Sequence, residues 1–521
     1  MADESVHKPL LLISAGTLTS RVLGLVRDLV LAAVWGTGAA MGGWVFAFTV
    51  PNLLRALFAE GAFSSAFVPV FSERLATDGE QGAWRSATVV ITTLLLVVAV
   101  VSAAIVLFSL PLRFVISEGT GRVALELLPL AMPYAVLIAG STAFAAVLNS
   151  TGRFAVPAFS PLLLNVFLIA AALGAAQWLG GGSGPWIVVL PVAALAAGVV
   201  QLLLHALRCA HVGFPWRFRL ERNHADTRRI ATLMAPVMLG VGVMQLNILV
   251  DRTLAAWLGS EAITSLYYSQ RLVYLPVGLF GVALGVASLP LLSRAWACGR
   301  TDEMAGHLRT GLGQVLFLSV PAAAALFVVR TPLVSLLFER GAFDASDTSS
   351  TVWALLFYLP GIPAFAAAKV ATTPFHAAQD TKTPVQISAV CLGLNIVLNL
   401  SLMPFLRQGG LALATSIASW LNVLLLLRSS QGRLPSAALA GLGTHGLRIL
   451  VSAALGIAVG LAATAGLRRL AEAPNAFAGR LLFTLVPLAA FALVYLAVSR
   501  LLGVRDGADL LRALRGRRKE R

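Results

Sequence analysis

Ten ionisable side chains fall inside stretches of this 521-residue chain that are otherwise apolar enough to cross a bilayer: Arg21, Arg27, Asp28, Arg55, Glu60, Glu126, Asp251, Arg252, Arg271 and Lys369. A charge at the bilayer centre costs roughly 2.5–3.5 kcal/mol on insertion scales, so each needs a partner, a wet cavity or a function. In the first two stretches Arg21, Arg27 and Arg55 outnumber Asp28 and Glu60, and Arg271 stands in the eighth. A surplus of guanidinium groups from separate helices suits an anion whose phosphate oxygens accept forked hydrogen bonds. The plainer use of the same residues is structural: snorkelling to an interface, or pairing with Asp28 and Glu60 to hold helices together. Arg27 beside Asp28 fits that use well. The excess of arginine over acid tilts the reading toward an anion site.

A second set is Asp251, Asn395, Asn399 and Thr415. Asn395 and Asn399 share a helix face at i, i+4. One carboxylate with amide and hydroxyl oxygens suits a hard monovalent cation such as sodium, and interhelical hydrogen bonding fits the spacing equally well. Lys369 reads as a cavity charge or a snorkelling lysine, and its position favours neither. Glu126, near the start of the fourth stretch, reads as interfacial. Cys209, Cys298 and Cys391 have no paired spacing, so neither a disulfide nor a zinc site is expected. No Gly-rich phosphate loop, HExxH or nucleophile elbow sits on a loop long enough for chemistry. The chain is expected to be a transporter, not an enzyme, with no resident cofactor and sodium as a candidate coupling ion.

These residues must be positioned by membrane helices. The chain is 58% hydrophobic and 12% charged, and apolar runs of about 20 residues suggest about fourteen spans. They lie near 9–34, 43–72, 86–111, 122–149, 157–178, 185–207, 229–258, 262–293, 310–330, 350–378, 383–405, 409–428, 438–466 and 480–502. The runs are continuous and lack dyad alternation, which excludes a β-barrel. Nothing near Met1–Pro9 resembles a cleavage site, so the first span is expected to be retained. The net charge of +16 is not a nucleic-acid signature. Arg208, Arg217, Arg219, Arg222, Arg228, Arg229, Arg294, Arg300, Arg309, Arg428 and Arg433 all fall on the side of both termini when spans alternate, as does the tail Arg512–Arg521. Gly36–Gly42 and Gly180–Gly184, opposite, carry no charge. The positive-inside rule then places both termini in the cytoplasm.

The chain also repeats itself. Asp28–Gly36 and Asp251–Gly259 share D-x-x-L-A-A-x-x-G, and the next span contains Pro51 in one case and Pro276 in the other. Pro157 follows the fourth span as Pro384 follows the tenth. Six spans separate the copies, so both halves insert the same way up. The expected architecture is all-α and polytopic: two six-helix lobes in parallel pseudo-repeat around a central cavity, plus two C-terminal helices. In residues this is 1–222 for the first lobe and its following loop, 223–432 for the second, and 433–521 for the last two spans and the basic tail.

Four segments carry a family resemblance: Ser20–Asp28 (SRVLGLVRD), Pro51–Phe63 (PNLLRALFAEGAF), Phe338–Phe343 (FERGAF) and Gln379–Pro384 (QDTKTP). They resemble the MurJ (MviN) family of bacterial lipid II flippases, within the multidrug/oligosaccharidyl-lipid/polysaccharide exporter superfamily. The resemblance implies alternating access in the bacterial cytoplasmic (inner) membrane, carrying the peptidoglycan precursor from the cytoplasmic to the outer leaflet. Arg21, Arg27, Asp28, Arg55 and Arg271 would line the cavity with Glu60 and Lys369 as further candidates; Arg27, Arg55 and Arg271 would take the diphosphate. Asp251, Asn395, Asn399 and Thr415 fall at the sodium site of a described member, which carries an aspartate where Asn399 stands. Gly42, in the Gly38–Gly43 loop, stands where relatives often have an acid. The last two spans would form a groove for the polyprenyl tail. Partners are then lipid II and membrane lipids, with cell-wall synthesis enzymes as neighbours, no nucleic acid, and one chain sufficing as a monomer. Two alternatives remain within the same physics: a flippase for another polyprenyl-diphosphate glycan, and a cation-coupled multidrug exporter, which would need an acid-rich cavity.

Overall fold

The computed structural model describes residues 2–59, 61–116, 118–178, 184–214, 216–221, 223–432, 434–435, 439–470, 477–504 and 506. All regular structure among them is helical. Thirteen helical stretches are long and apolar enough to cross a membrane. They coincide with the second to fourteenth expected spans, and α1 (Ala2–Trp35) covers the first. In hydrocarbon every backbone N–H and C=O needs an internal partner, which is why such runs can only be helices. Side chains such as Phe108 and Phe114, 80% and 91% exposed, would be a liability in water and are ordinary against lipid.

The chain divides into two compact units, Met1–Thr264 with Arg340–Asp344, and Ser265–Glu339 with Ala345–Arg521. The first holds α1, α2 (Ala39–Leu54), α3 (Ala62–Thr77), α4 (Gly79–Val115), α5 (Gly119–Ala131), α6 (Pro133–Ser150), α7 (Ala155–Phe159), α8 (Pro161–Trp178), α9 (Val189–His211) and α10 (Ala225–Leu258). Helix α11 (Ser260–Pro276) begins in the first unit and ends in the second. The second continues with α12 (Ala283–Ala297), α13 (Thr301–Phe338), α14 (Ala345–Tyr358), α15 (Ile362–Ala371), α16 (Thr373–Ala377), α17 (Lys382–Leu406), α18 (Gln408–Ser430), α19 (Leu442–Leu470) and α20 (Phe477–Leu501).

Proline breaks the second and eighth spans in the same manner. A π-helical turn, Arg55–Ala59, follows Pro51, and another, Val277–Val282, follows Pro276. Proline removes a backbone donor and crowds the preceding turn, and a widened turn is one way a helix absorbs that. Downstream of the first break, Phe63, Phe67 and Phe71 stack at i, i+4 spacing, centroids 5.0 and 5.4 Å apart. Trp84, Phe214 and Phe144 continue that aromatic column into α4, the α9–α10 connection and α6.

Close helix contacts rest on small residues. A Cβ on Gly456 of α19 would stand 2.9 Å from the Phe491 ring of α20, and one on Gly460 would stand 2.8 Å from Val328 of α13. The QDTKTP segment is a capping loop: Asp380 Oδ1 accepts from the backbone N–H of Lys382 and Thr383, both at 3.0 Å, opening α17. One expectation is corrected. Gly42 does not lie in a loop, because α2 already begins at Ala39. It is buried, and a Cβ there would come within 3.0 Å of Thr120 and 3.3 Å of Ser260.

Candidate functional site

Helix α1 carries three of the first unit's intramembrane charges, Arg21, Arg27 and Asp28. Asp28 is 1% exposed, and Arg27 closes on it with Nε at 3.0 Å and Nη2 at 2.8 Å to Oδ1. The third direction of the guanidinium is taken by α8, where Arg27 Nη1 donates to Asn165 Oδ1 at 3.0 Å. Asn165 Nδ2 in turn donates to the Ser20 carbonyl at 3.4 Å, tying α8 to α1 two turns earlier. Arg21 stands on the same helix and is exposed. Arg55 opens the π-helical turn after Pro51 and is half-buried. Glu60 lies outside the described residues. The arrangement is a fixed guanidinium, Arg27, with further cations on an apolar framework, and it can hold an anion by charge and by forked N–H donors.

Asp251 and Arg252, on α10, are 7% and 6% exposed. Arg252 Nη1 donates to the Ile263 carbonyl at 3.0 Å, across the turn into α11. In the second unit, Arg271 is exposed; its Nη2 donates to Tyr267 Oη at 2.8 Å and its guanidinium lies 4.5 Å from that ring. Lys369 is exposed on α15, whose backbone at that residue passes close to Gly285 of α12. Glu126 is paired at the surface with Arg122 at 2.6 Å.

The amide set of the second unit is internally bonded. Asn399 Nδ2 donates to Asn395 Oδ1 at 2.9 Å, and Asn395 Nδ2 to Thr415 Oγ1 at 3.3 Å. Thr415 Oγ1 donates to the Leu411 carbonyl at 2.9 Å. The oxygens of Asn395 and Thr415 therefore face N–H groups of the cluster itself. These bonds join Asn399 to Asn395 within α17, and Asn395 to Thr415 across to α18.

Two features escape a reading by spacing. Asn165 is one; its only signal is a lone amide in the middle of an apolar run. The other joins α3, α4 and the start of α10. Arg74 grips Asp226 bidentately, Nε to Oδ2 and Nη2 to Oδ1 both at 2.9 Å, while Ser86 Oγ donates to Oδ2 at 2.6 Å. Asp226 is 2% exposed. Beside it Arg229 pairs with Glu73, and Arg85 and Arg219 pair with Glu221. The Arg85 hydrogen bond, with Arg219 behind it, holds the Glu221 carboxyl below the usual carboxylate range. Part of the basic character of this connection is thus internally paired.

Comparison with known proteins follows the same lines. The family described as "Lipid II flippase MurJ" matches residues 31–472. A "Probable lipid II flippase MurJ" of Vibrio cholerae is 37% identical over 445 residues, covering 82% of this chain and 84% of that protein. A second, from Rhizobium tropici, is 33% identical over 433 residues, covering 81% and 80%. A solved structure, "Lipid II flippase MurJ, inward closed conformation", superposes with a TM-score of 0.76 over 94% of this chain and 99% of that one; at 24% identity it speaks to the fold. The chain belongs to the lipid II flippase MurJ family.

Proposed function

We propose that this chain moves lipid II across the bacterial cytoplasmic membrane by alternating access, with no covalent bond made or broken. The family supplies the substrate, and it favours this reading over a drug exporter. The observation that carries the chemistry is the cationic excess in the first unit: Arg21, Arg27, Arg55 and Arg252 in apolar stretches against Asp28, Glu60 and Asp251. We assign the diphosphate of the substrate to Arg27 and Arg55. Asp28 and Asn165 position the Arg27 guanidinium, which lowers the ordering cost of each hydrogen bond it makes. Both termini are assigned to the cytoplasm from the arginine distribution. Each elementary charge carried across is worth ~2.3 kcal/mol per 100 mV, so membrane potential can reset the cycle.

The test is transbilayer movement of lipid II in vesicles containing the purified protein. Alanine at Arg27 and Arg55 together should slow it at least ~100-fold, from about 1.5–3 kcal/mol per charged hydrogen bond lost. Lysine at both should restore part of the rate, since an ammonium lacks the fork. An unchanged rate in the alanine variant would remove the assigned site. Failure of the parent chain to support growth when a lipid II flippase is depleted would remove the substrate.

A further inference from the structure

The second unit carries a basic pair that transport by the first unit's arginines leaves unused. In α13, Arg330 does not extend away as a snorkelling arginine would. Its Nη1 donates to the Phe327 carbonyl at 2.5 Å, and its guanidinium lies 4.5 Å over the Phe327 ring. Helix α19 supplies the second charge. Two contacts fix how these helices run: Gly313 against His445, and Val328 against Gly460. The two contacts are separated by the same number of residues on each helix, so α13 and α19 are parallel and in constant register. Residue 462 then stands beside Arg330, and Arg468 about 9 Å further along. Two arginine side chains are long enough to span that gap, and like charges so placed repel across an apolar surface.

Two like charges side by side at the ends of these helices favour a counter-charge between them. Among the described residues neither has a carboxylate partner. Glu339, at the C-terminal end of α13, is already held by Arg480 at 3.0 Å and by Thr348 at 2.8 Å. Along α19 toward Arg468, Val459, Leu461 and Leu470 are 41%, 39% and 85% exposed, the face a helix shows to lipid. The anions available along such a face are lipid phosphates. We propose that Arg330 and Arg468 together form a binding site for the phosphate of an anionic lipid headgroup, on the surface shared by α13 and α19. The site is independent of the transport reading.

Native mass spectrometry of the full-length protein released from detergent, titrated with phosphatidylglycerol, phosphatidylcholine or inorganic phosphate, tests it. Retention of phosphatidylglycerol over phosphatidylcholine is expected, weakened about fivefold by Arg330→Gln and again by Arg468→Gln. Arg330→Lys should keep most of the affinity and also reports that the helix pair still folds. Arg122→Gln, in the other unit, should change nothing. Equal retention by wild type and both Gln variants would overturn the site. So would equal retention of the two lipids, or occupancy by inorganic phosphate without preference for the lipid.

Discussion

The motif D-x-x-L-A-A-x-x-G ends α1 and ends α10, and the two copies share their packing but not the position of their arginine. Asp28 and Asp251 are both buried, as are Leu31 and Ala32 in one copy and Leu254 and Ala255 in the other. Gly36 and Gly259 close the helices with φ of 56° and 111°. A span broken by proline and a π-helical turn follows each. The arginine is what differs. Arg27 precedes its aspartate and closes on it and on Asn165 of α8; Arg252 follows its aspartate and reaches the Ile263 carbonyl. Two positions around a helix amount to about 200° of rotation, enough to hand the charge to a different neighbour. Small and apolar residues fix the shape of a helix end, and charge can be reassigned on that shape without disturbing it.

The largest effect is expected where charge is most deeply committed. Asp28→Ala leaves the Arg27 guanidinium beside Asn165 without its carboxylate, and breaking a buried pair costs about 3–5 kcal/mol. Glu126→Ala removes a pair whose side chains are 38% and 50% exposed, worth roughly 0–1 kcal/mol. Thermal unfolding in detergent should separate the two clearly. If Asp28→Ala melts with Glu126→Ala, the α1 copy holds no committed ion pair and the Arg27 guanidinium is not fixed by the aspartate beside it.

A second contrast lies between two G-A-F turns. Gly341 has φ 62°, and a Cβ on it would stand 2.2 Å from the Ala33 carbonyl oxygen, to which Ala342 N–H already donates at 2.7 Å. Gly61 has φ 70° and nothing within 4 Å. Both turns bury the following phenylalanine, Phe343 and Phe63, each 1% exposed. Alanine at either glycine carries the strain of a positive φ, about 1–3 kcal/mol. At Gly341 the clash with backbone adds about 1–3 kcal/mol more. Gly341→Ala should therefore lower the melting temperature well beyond Gly61→Ala. Equal shifts would mean that the turn over α1 yields as easily as the open one.

Much of this was legible beforehand. Length, apolarity and the absence of dyad alternation give the helices and nearly their bounds, because the bilayer leaves no other solution. The repeat was readable because its residues are small, apolar or glycine, and those set helix ends locally. Charge was harder to place. Arg27 and Asp28 are adjacent in sequence, so their pairing could be anticipated, whereas Asn165 on α8 and Asp226 on α10 are partners only through tertiary contact. Asn395, Asn399 and Thr415 show the limit from the other side. Their oxygens match a cation's needs by type, while amide hydrogens of the same cluster already reach the oxygens of Asn395 and Thr415.

The finest test of the comparison is at the glycines themselves. A φ of 56° is that of the left-handed helical region, which asparagine adopts more readily than most residues other than glycine. Gly259, at φ 111° and ψ 175°, lies outside it, in a region essentially reserved for glycine. Gly36→Asn should thus cost about 1 kcal/mol at most, whereas Gly259→Asn should cost about 1–3 kcal/mol, although no neighbouring atom lies within 4 Å to obstruct it. Melting curves of the two asparagine variants read the difference directly. Equal tolerance would show that the α10–α11 turn relaxes to the geometry of the α1–α2 turn, making the two helix ends alike in backbone as well as in packing.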